Sequence, residues 1–265
     1  MNADNLYGYI PSLAAGIIFI ILFAGTTFFH VFQLTRERCW YFIPFVVGGF
    51  FQIVGYICRV VARNDLTSVT VYALQSVLIL LAPPLYAASV YMVLGRTVTY
   101  LRAGNLSLIR VRWMTKIFVS GDVFSFLLQS AGGGLMAAGT AFFGFFVIVA
   151  AIFHVRINEH PTPKSRHERA ETSVQGWRQR NWVTVLLALY VVSALILIRC
   201  IFRLVEYKDG FDGYIMTHEA FGYIFDALLM FIAMVVMNVY HPAGILGDGK
   251  GGNRRHSEYS EAVQL

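Results

Sequence analysis

Four apolar stretches of this chain are each broken by polar side chains at helical spacing. Gln52, Tyr56 and Arg59 stand at i, i+4 and i+7, with Gly55 beside them. Arg199, Arg203 and Glu206 repeat that pattern, as do Glu219, Tyr223 and Asp226, and Asp122, Ser125 and Gln129 follow it at i, i+3 and i+7. Residues so spaced share one face of an α-helix. A charge at the middle of an apolar membrane segment costs about 2.5–3.5 kcal/mol on insertion scales. Four such faces are therefore expected to turn inward onto a common polar path. The chemistry on offer is ion pairing, proton exchange on carboxylates, and capture of a polar or cationic group.

Depth separates two sets of residues. Counting about 1.5 Å per residue from the expected span ends, Arg59, Arg199, Arg203, Glu206 and Glu219 gather near one face of the membrane. There they are read as structural ion pairs, since long side chains reach water from that depth. Asp122 and Asp226 lie deeper, and no arginine or lysine is expected at their level. A bound cation, a proton or a substrate amine is the expected partner for those two carboxylates.

The elements that hold these residues follow from composition. The chain is 57% hydrophobic and only 14% charged, with mean hydropathy +0.61. A soluble domain carries about 25% charged residues, so lipid must solvate part of this surface. Apolar runs long enough to span a bilayer fall at 13–33, 42–62, 70–95, 116–138, 182–202 and 218–240. A seventh, 141–155, is short. The expected fold is all-α, an integral membrane seven-helix bundle with its N-terminus outside and its C-terminus cytosolic. Residues 1–12 form the extracellular N-terminus, 13–240 the transmembrane domain, and 241–265 a disordered cytoplasmic tail rich in Gly and polar residues. With seven spans, every lysine and arginine except Arg59, Arg63, Arg199, Arg203 and Lys208 falls on the cytoplasmic side or in the tail, as the positive-inside bias requires. Trp40, Trp113, Trp177 and Trp182 all fall at that same boundary, where the headgroup level suits an indole ring. The sequon Asn105-Leu106-Ser107 then lies in the cytosol, unused.

Other features narrow the function classes. Met1 to Ser12 has no basic region and predicts no cleavable signal. Cys39, Cys58 and Cys200 have neither metal nor redox spacing. His30, His154, His218 and His241 sit at span ends, without a ligand pattern. Pro83-Pro84 is expected to kink the third span and release backbone carbonyls. Nothing resembles a nucleophile elbow, a phosphate loop or a nucleic-acid motif. No enzyme activity, cofactor, metal or nucleic-acid partner is expected, and protein partners are unknown. The basic loop 158–180 is expected at the cytoplasmic surface, near anionic lipid.

Several stretches also spell a family. YIPS at Tyr9–Ser12, GYICR at Gly55–Arg59 and LLAPPLYAASVYMVLGR at Leu80–Arg96 come first in order. FVSGDVFSFLLQSAGGG at Phe118–Gly134, IRCIFRLVEYKDG at Ile198–Gly210, HEAFGYIFD at His218–Asp226 and HPAG at His241–Gly244 follow. With these the chain resembles the fungal lipid-translocating exporters, the resistance-to-aminocholesterol-like family. The resemblance implies a seven-helix protein of the plasma membrane or the vacuole. It also implies export or transbilayer movement of sphingoid long-chain bases, resistance to toxic amphiphiles and, in one branch, porphyrin transport. Two departures stand out. The family usually has Glu at the position of Gln52, so an ion pair towards Arg59 is expected to weaken to a hydrogen bond. About twenty residues between Gly134 and the FFGFF run are missing relative to the family.

The leading expectation is a transporter of amphiphilic lipids, sphingoid bases first. The substrate amine would pass Asp122 and Asp226, with Gln52, Tyr56, Arg59, Gln129, Arg199, Arg203, Glu206, Glu219 and Tyr223 lining the path. A seven-span lipid receptor or sensor fits the topology equally well. An intramembrane hydrolase would need clustered His, Asp and Ser, which the scattered histidines do not supply.

Overall fold

A computed structural model of the protein describes residues 11–64, 67–107, 109–110, 113–114, 116–117, 119–121, 136–166, 182–209 and 218–243. Every regular element among them is helical. Helix α1 is Leu13–Glu37, and a 3-10 turn at Trp40–Phe42 leads into α2, Ile43–Val61. Helix α3 is Val69–Tyr100, α4 is Met136–Glu159 and α5 is Trp182–Asp209. The last helix, α6, runs Glu219–Val239 and widens into a π-helical segment at Tyr223–Leu228.

Five helical segments among the described residues are long and apolar enough to cross a membrane: Leu13–Glu37, Trp40–Val61, Val69–Tyr100, Trp182–Glu206 and Glu219–Val239. The chain is a multi-pass membrane protein. The apolar run 141–155 lies within the 24-residue α4, which extends beyond it at both ends. The expected span 116–138 lies mostly outside the described residues, as do Asp122 and Gln129.

The helices form a ring. Helix α2 packs between α1 and α3, α3 touches α5, α5 touches α6, and α6 returns to α1. Helix α4 packs against α5, where the Tyr190 hydroxyl donates to the Ala150 carbonyl at 2.8 Å. The face of α1 carrying Ile18, Ile21, Phe28, Phe29 and Phe32 is exposed, as a lipid-facing surface must be. Its other face, with Phe23, Thr27, His30 and Leu34, is buried.

Helix α2 approaches α3 closely because glycines face it. A Cβ at Gly48 would lie 2.7 Å from the Tyr86 ring, and one at Gly55 would lie 2.7 Å from Ile79 Cγ1. In a bilayer, where apolar burial gives little net drive between helices, such small-residue contacts let backbones and side chains pack closely. Helix α3 runs through both Pro83 and Pro84. At about 1.5 Å per residue, its 32 residues exceed the hydrocarbon thickness. Its far end is tied down by the chain after α4: Thr162 donates to the Leu101 carbonyl at 2.9 Å, and Lys164 Nζ sits 3.6 Å from the centre of the Tyr100 ring.

Two of the expected interfacial tryptophans, Trp40 and Trp113, are exposed, but Trp182 is buried. Trp182 opens α5 on its inward face, so its ring packs in the bundle. Trp177 lies outside the described residues.

Overpacking the α2–α3 contact should cost about 1–3 kcal/mol. Gly48→Val is expected to lower the thermal unfolding temperature of the detergent-purified protein. Gly25→Ala, at a site with no neighbouring atom within 4 Å, should leave it unchanged or raise it slightly.

Candidate functional site

The inward faces of α1, α2, α5 and α6 meet at the end of the bundle where α1 begins. Arg59 Nη2 donates to Glu219 Oε1 at 3.1 Å, and Arg59 Nε donates to the Tyr223 hydroxyl at 3.2 Å. The guanidinium also lies 5.2 Å from the centre of the Tyr223 ring. The two carboxylate oxygens of Glu219 accept the Ser12 backbone N–H at 3.0 and 2.9 Å. Ser12 in turn caps α1, its Oγ accepting from the Ala15 N–H at 3.4 Å. A carboxylate suits the positive end of that helix.

One layer deeper lies a buried ion network. Asp226 is held by two arginines: Arg199 Nε donates to its Oδ1 and Arg203 Nη2 to its Oδ2. Arg203 Nη1 donates to Glu206 at 2.8 Å, one turn along the same helix. Arg199 and Asp226 are both almost completely buried, whereas the Arg203 side chain keeps 24% of its exposure. Arg199 Nη2 also donates to the Ile79 carbonyl at 3.3 Å. That carbonyl is free because its helical partner would be the N–H of residue 83, which is a proline. Pro83 thus supplies the acceptor that a second guanidinium nitrogen needs.

Arg59, Arg199 and Arg203 therefore stand against Glu206, Glu219 and Asp226, three cations against three carboxylates. Removing a charge from water costs several kcal/mol per ion even after relaxation. A balanced set with directed hydrogen bonds is how an apolar interior tolerates these groups.

Two sequence expectations need correction. Asp226 does have arginines at its depth. The sixth expected span was ended at Phe202, which left Arg199 near the membrane surface, but α5 continues to Asp209. The extra turns draw Arg199 down to the level of Asp226, and Arg203 reaches it along a flexible stem. Gln52 does not bond Arg59. Seven residues separate them, about 10.5 Å along the helix, and Arg59 is occupied by Glu219 and Tyr223.

Between these residues the path is aromatic. Tyr56 stacks on Phe23 at 5.5 Å and on Phe19 at 5.8 Å, and Phe19 stacks on Tyr223 at 5.3 Å. Towards the other end Tyr86 donates to Met234 Sδ at 3.2 Å, and His30 Nε2 lies 3.1 Å from the Met234 carbonyl. Gln33 donates to the Asn238 carbonyl at 2.9 Å. His30 and His241 close this end with Phe42 packed against both rings. Among the described residues no three His, Cys, Asp or Glu side chains gather as a metal site would. Cys39, Cys58 and Cys200 are not joined in disulfides. Burial pushes the Cys39 thiol, at the turn before α2, up to about 11.

The structure thus brings Tyr56, Arg59, Arg199, Arg203, Glu206, Glu219, Tyr223 and Asp226 together, and it places Gln52 on the same path, fully buried. Sequence reasoning missed Thr27, Tyr86 and the Ile79 carbonyl. Only the third had a sequence signal, the proline pair, and that signal did not say which side chain would use it.

The family model described as RTA1 like protein matches residues 45–249. The chain belongs to the RTA1-like family. Protein RTA1 of Saccharomyces cerevisiae is 37% identical over 280 residues, covering 90% of this chain and 85% of that one. Protoporphyrin uptake protein 1 of the same yeast is 36% identical over 286 residues, covering 88% and 91%. The sphingoid long-chain base transporter RSB1 of Saccharomyces cerevisiae is 27% identical over 284 residues, covering 91% and 74%. No solved structure matches the chain. The arginines and acids of the ion network all fall within the part that the RTA1-like model matches.

Removing Asp226 leaves two guanidiniums facing one another in an apolar interior, whereas removing Glu206 leaves Arg203 with its other partner. Asp226→Asn is expected to cost about 3–5 kcal/mol and Glu206→Gln under about 1 kcal/mol. Chemical unfolding of the two variants in detergent checks that order.

Proposed function

We propose that this RTA1-like protein is a transporter that moves amphiphilic lipids across or out of the membrane, with sphingoid long-chain bases as the first candidate substrate. Such export would protect the cell from toxic amphiphiles. The reading places the protein in the plasma membrane as a seven-span exporter, N-terminus outside and C-terminus cytosolic, with no chemical conversion of its cargo. The printed names of two relatives, a sphingoid long-chain base transporter and a protoporphyrin uptake protein, support an amphiphilic cargo.

The observation that carries the proposal is the pairing of Asp226 with two arginines, one of them only partly buried. Arg203 is also bound to Glu206, and its Nε–H has no partner among the described residues. An ammonium group arriving along the path can take the place of Arg203 on Asp226, while Arg203 stays with Glu206. Arg199 remains fixed between Asp226 and the Ile79 carbonyl. The exchange gives a cationic head a counter-charge deep in the bundle without exposing a bare carboxylate to lipid.

Charge balance then calls for one more acid. The network is neutral, and an arginine cannot release a proton, so the added positive charge needs an ionised carboxylate elsewhere. We assign that role to Asp122, as the relay that loses a proton when the amine enters. The acyl tail stays in lipid or between helices.

Release of labelled phytosphingosine from a fungal strain without its own exporters tests this. Expression of the chain should speed release, and Asp226→Asn should abolish it. The charge-balanced double variant Arg199→Gln/Asp226→Asn should recover protein abundance but not release. Release by that double variant at the wild-type rate would sink the proposal. An inserted wild-type protein that releases nothing would turn the reading to a lipid sensor.

A further inference from the structure

Beyond the charged layers the path becomes neutral, and its polar atoms go unanswered. Gln52 is fully buried, and among the described residues neither its Oε1 nor its Nε2 has a hydrogen-bond partner. Thr27 is also fully buried, and its hydroxyl too lacks a partner among the described residues.

Helix packing puts these groups in one layer. The Thr27 hydroxyl lies against the α2 backbone at Gly49, where a Cβ would come within 2.4 Å of it. One turn away, Phe23 of α1 stacks on Tyr56 of α2. Gln52 stands between those two contacts, three residues after Gly49 and four before Tyr56. On the α6 side the same interval is bounded by Tyr223, 6.0 Å from the Tyr56 ring, and by Met234, whose Cε faces Gly49. Asp226 belongs to that interval of α6.

A buried polar group left unsatisfied keeps its full desolvation penalty, and apolar side chains of the same shape would avoid it. Three such atoms in one layer call for an occupant. We propose that Thr27 and Gln52 form a subsite for a hydroxyl group of the translocated amphiphile, next to the charged layer that takes its amine. A hydroxyl both donates and accepts, so it can give its proton to Gln52 Oε1 while accepting from Gln52 Nε2 or the Thr27 hydroxyl. An ammonium accepts nothing and would leave Nε2 unanswered. A carboxylate donates nothing and would leave Oε1 unanswered. This subsite rests on the translocator reading and sharpens it to amphiphiles that carry a hydroxyl near the amine.

The test compares binding of sphinganine and octadecylamine to the full chain in lipid nanodiscs. The second ligand keeps the amine and the tail but has no hydroxyl. Wild type should bind sphinganine at least about tenfold more tightly, a difference of about 1.4 kcal/mol. Gln52→Leu and Thr27→Val, both close in shape to the native side chains, should each bring the ratio towards one by weakening sphinganine binding more than octadecylamine binding. Thermal unfolding of each variant confirms that it is folded, and either one suffices if the other is not. A wild-type ratio near one, or a preference that survives in the folded variants, overturns the subsite and leaves the translocator reading intact. Binding of neither amine by the inserted wild type overturns both.

Discussion

A carboxylate cannot sit bare in hydrocarbon, and much of this bundle is arranged around Asp226. Two arginines of α5 answer it, and each brings a requirement of its own. Arg199 has a further nitrogen to satisfy, which it does on the Ile79 carbonyl. That carbonyl exists as a free acceptor only because Pro83 cannot donate to it. Ile79 in turn lies against Gly55, where any larger residue would push α2 and α3 apart. Arg203 adds a positive charge that Glu206 offsets. One acidic side chain thereby constrains α2, α3, α5 and α6 together. The π-helical segment of α6 includes Asp226 itself, and such widened turns are frequent at functional sites.

Buried ion pairs are weak evidence for stability, since well-packed apolar residues of the same volume often do as well or better. Their retention in an RTA1-like protein is better understood as specification. The network fixes which helix faces meet and at what height, and it concentrates exchangeable charge along one line. The path is graded. It is ionic where α1 begins, aromatic and neutral polar in the middle, and closed at the far end by His30, Phe42 and His241.

Much of this was legible in the residues. Apolar runs located the described helices, because length and hydropathy leave little freedom in a bilayer. The i, i+4, i+7 stripes identified the faces, because helical periodicity is independent of neighbours. Pairings were harder to read. The depth of Arg199 depended on where α5 ends, and charged residues such as Glu206 and Asp209 lie inside that helix even though they signal a span boundary. Thr27 was hidden because a threonine in an apolar run bonds its own helix more often than another. The Ser12–Glu219 contact joins residues 207 apart in sequence, a distance over which no local pattern carries information. The π turn has no residue signature of its own.

The link between Ser12 and Glu219 also sets a condition on how the protein is made. The backbone N–H at the head of the first helix and the guanidinium of Arg59 both take their partner from the last helix. At ribosomal speeds of about 5–20 residues per second, that partner emerges about 10–40 s later. Arg59, 160 residues before Glu219, awaits its acid for about 8–32 s of that interval at those speeds. Closure of the ring is therefore the final event of assembly. A nascent chain that stops before α6 lacks the acid that pairs with Arg59.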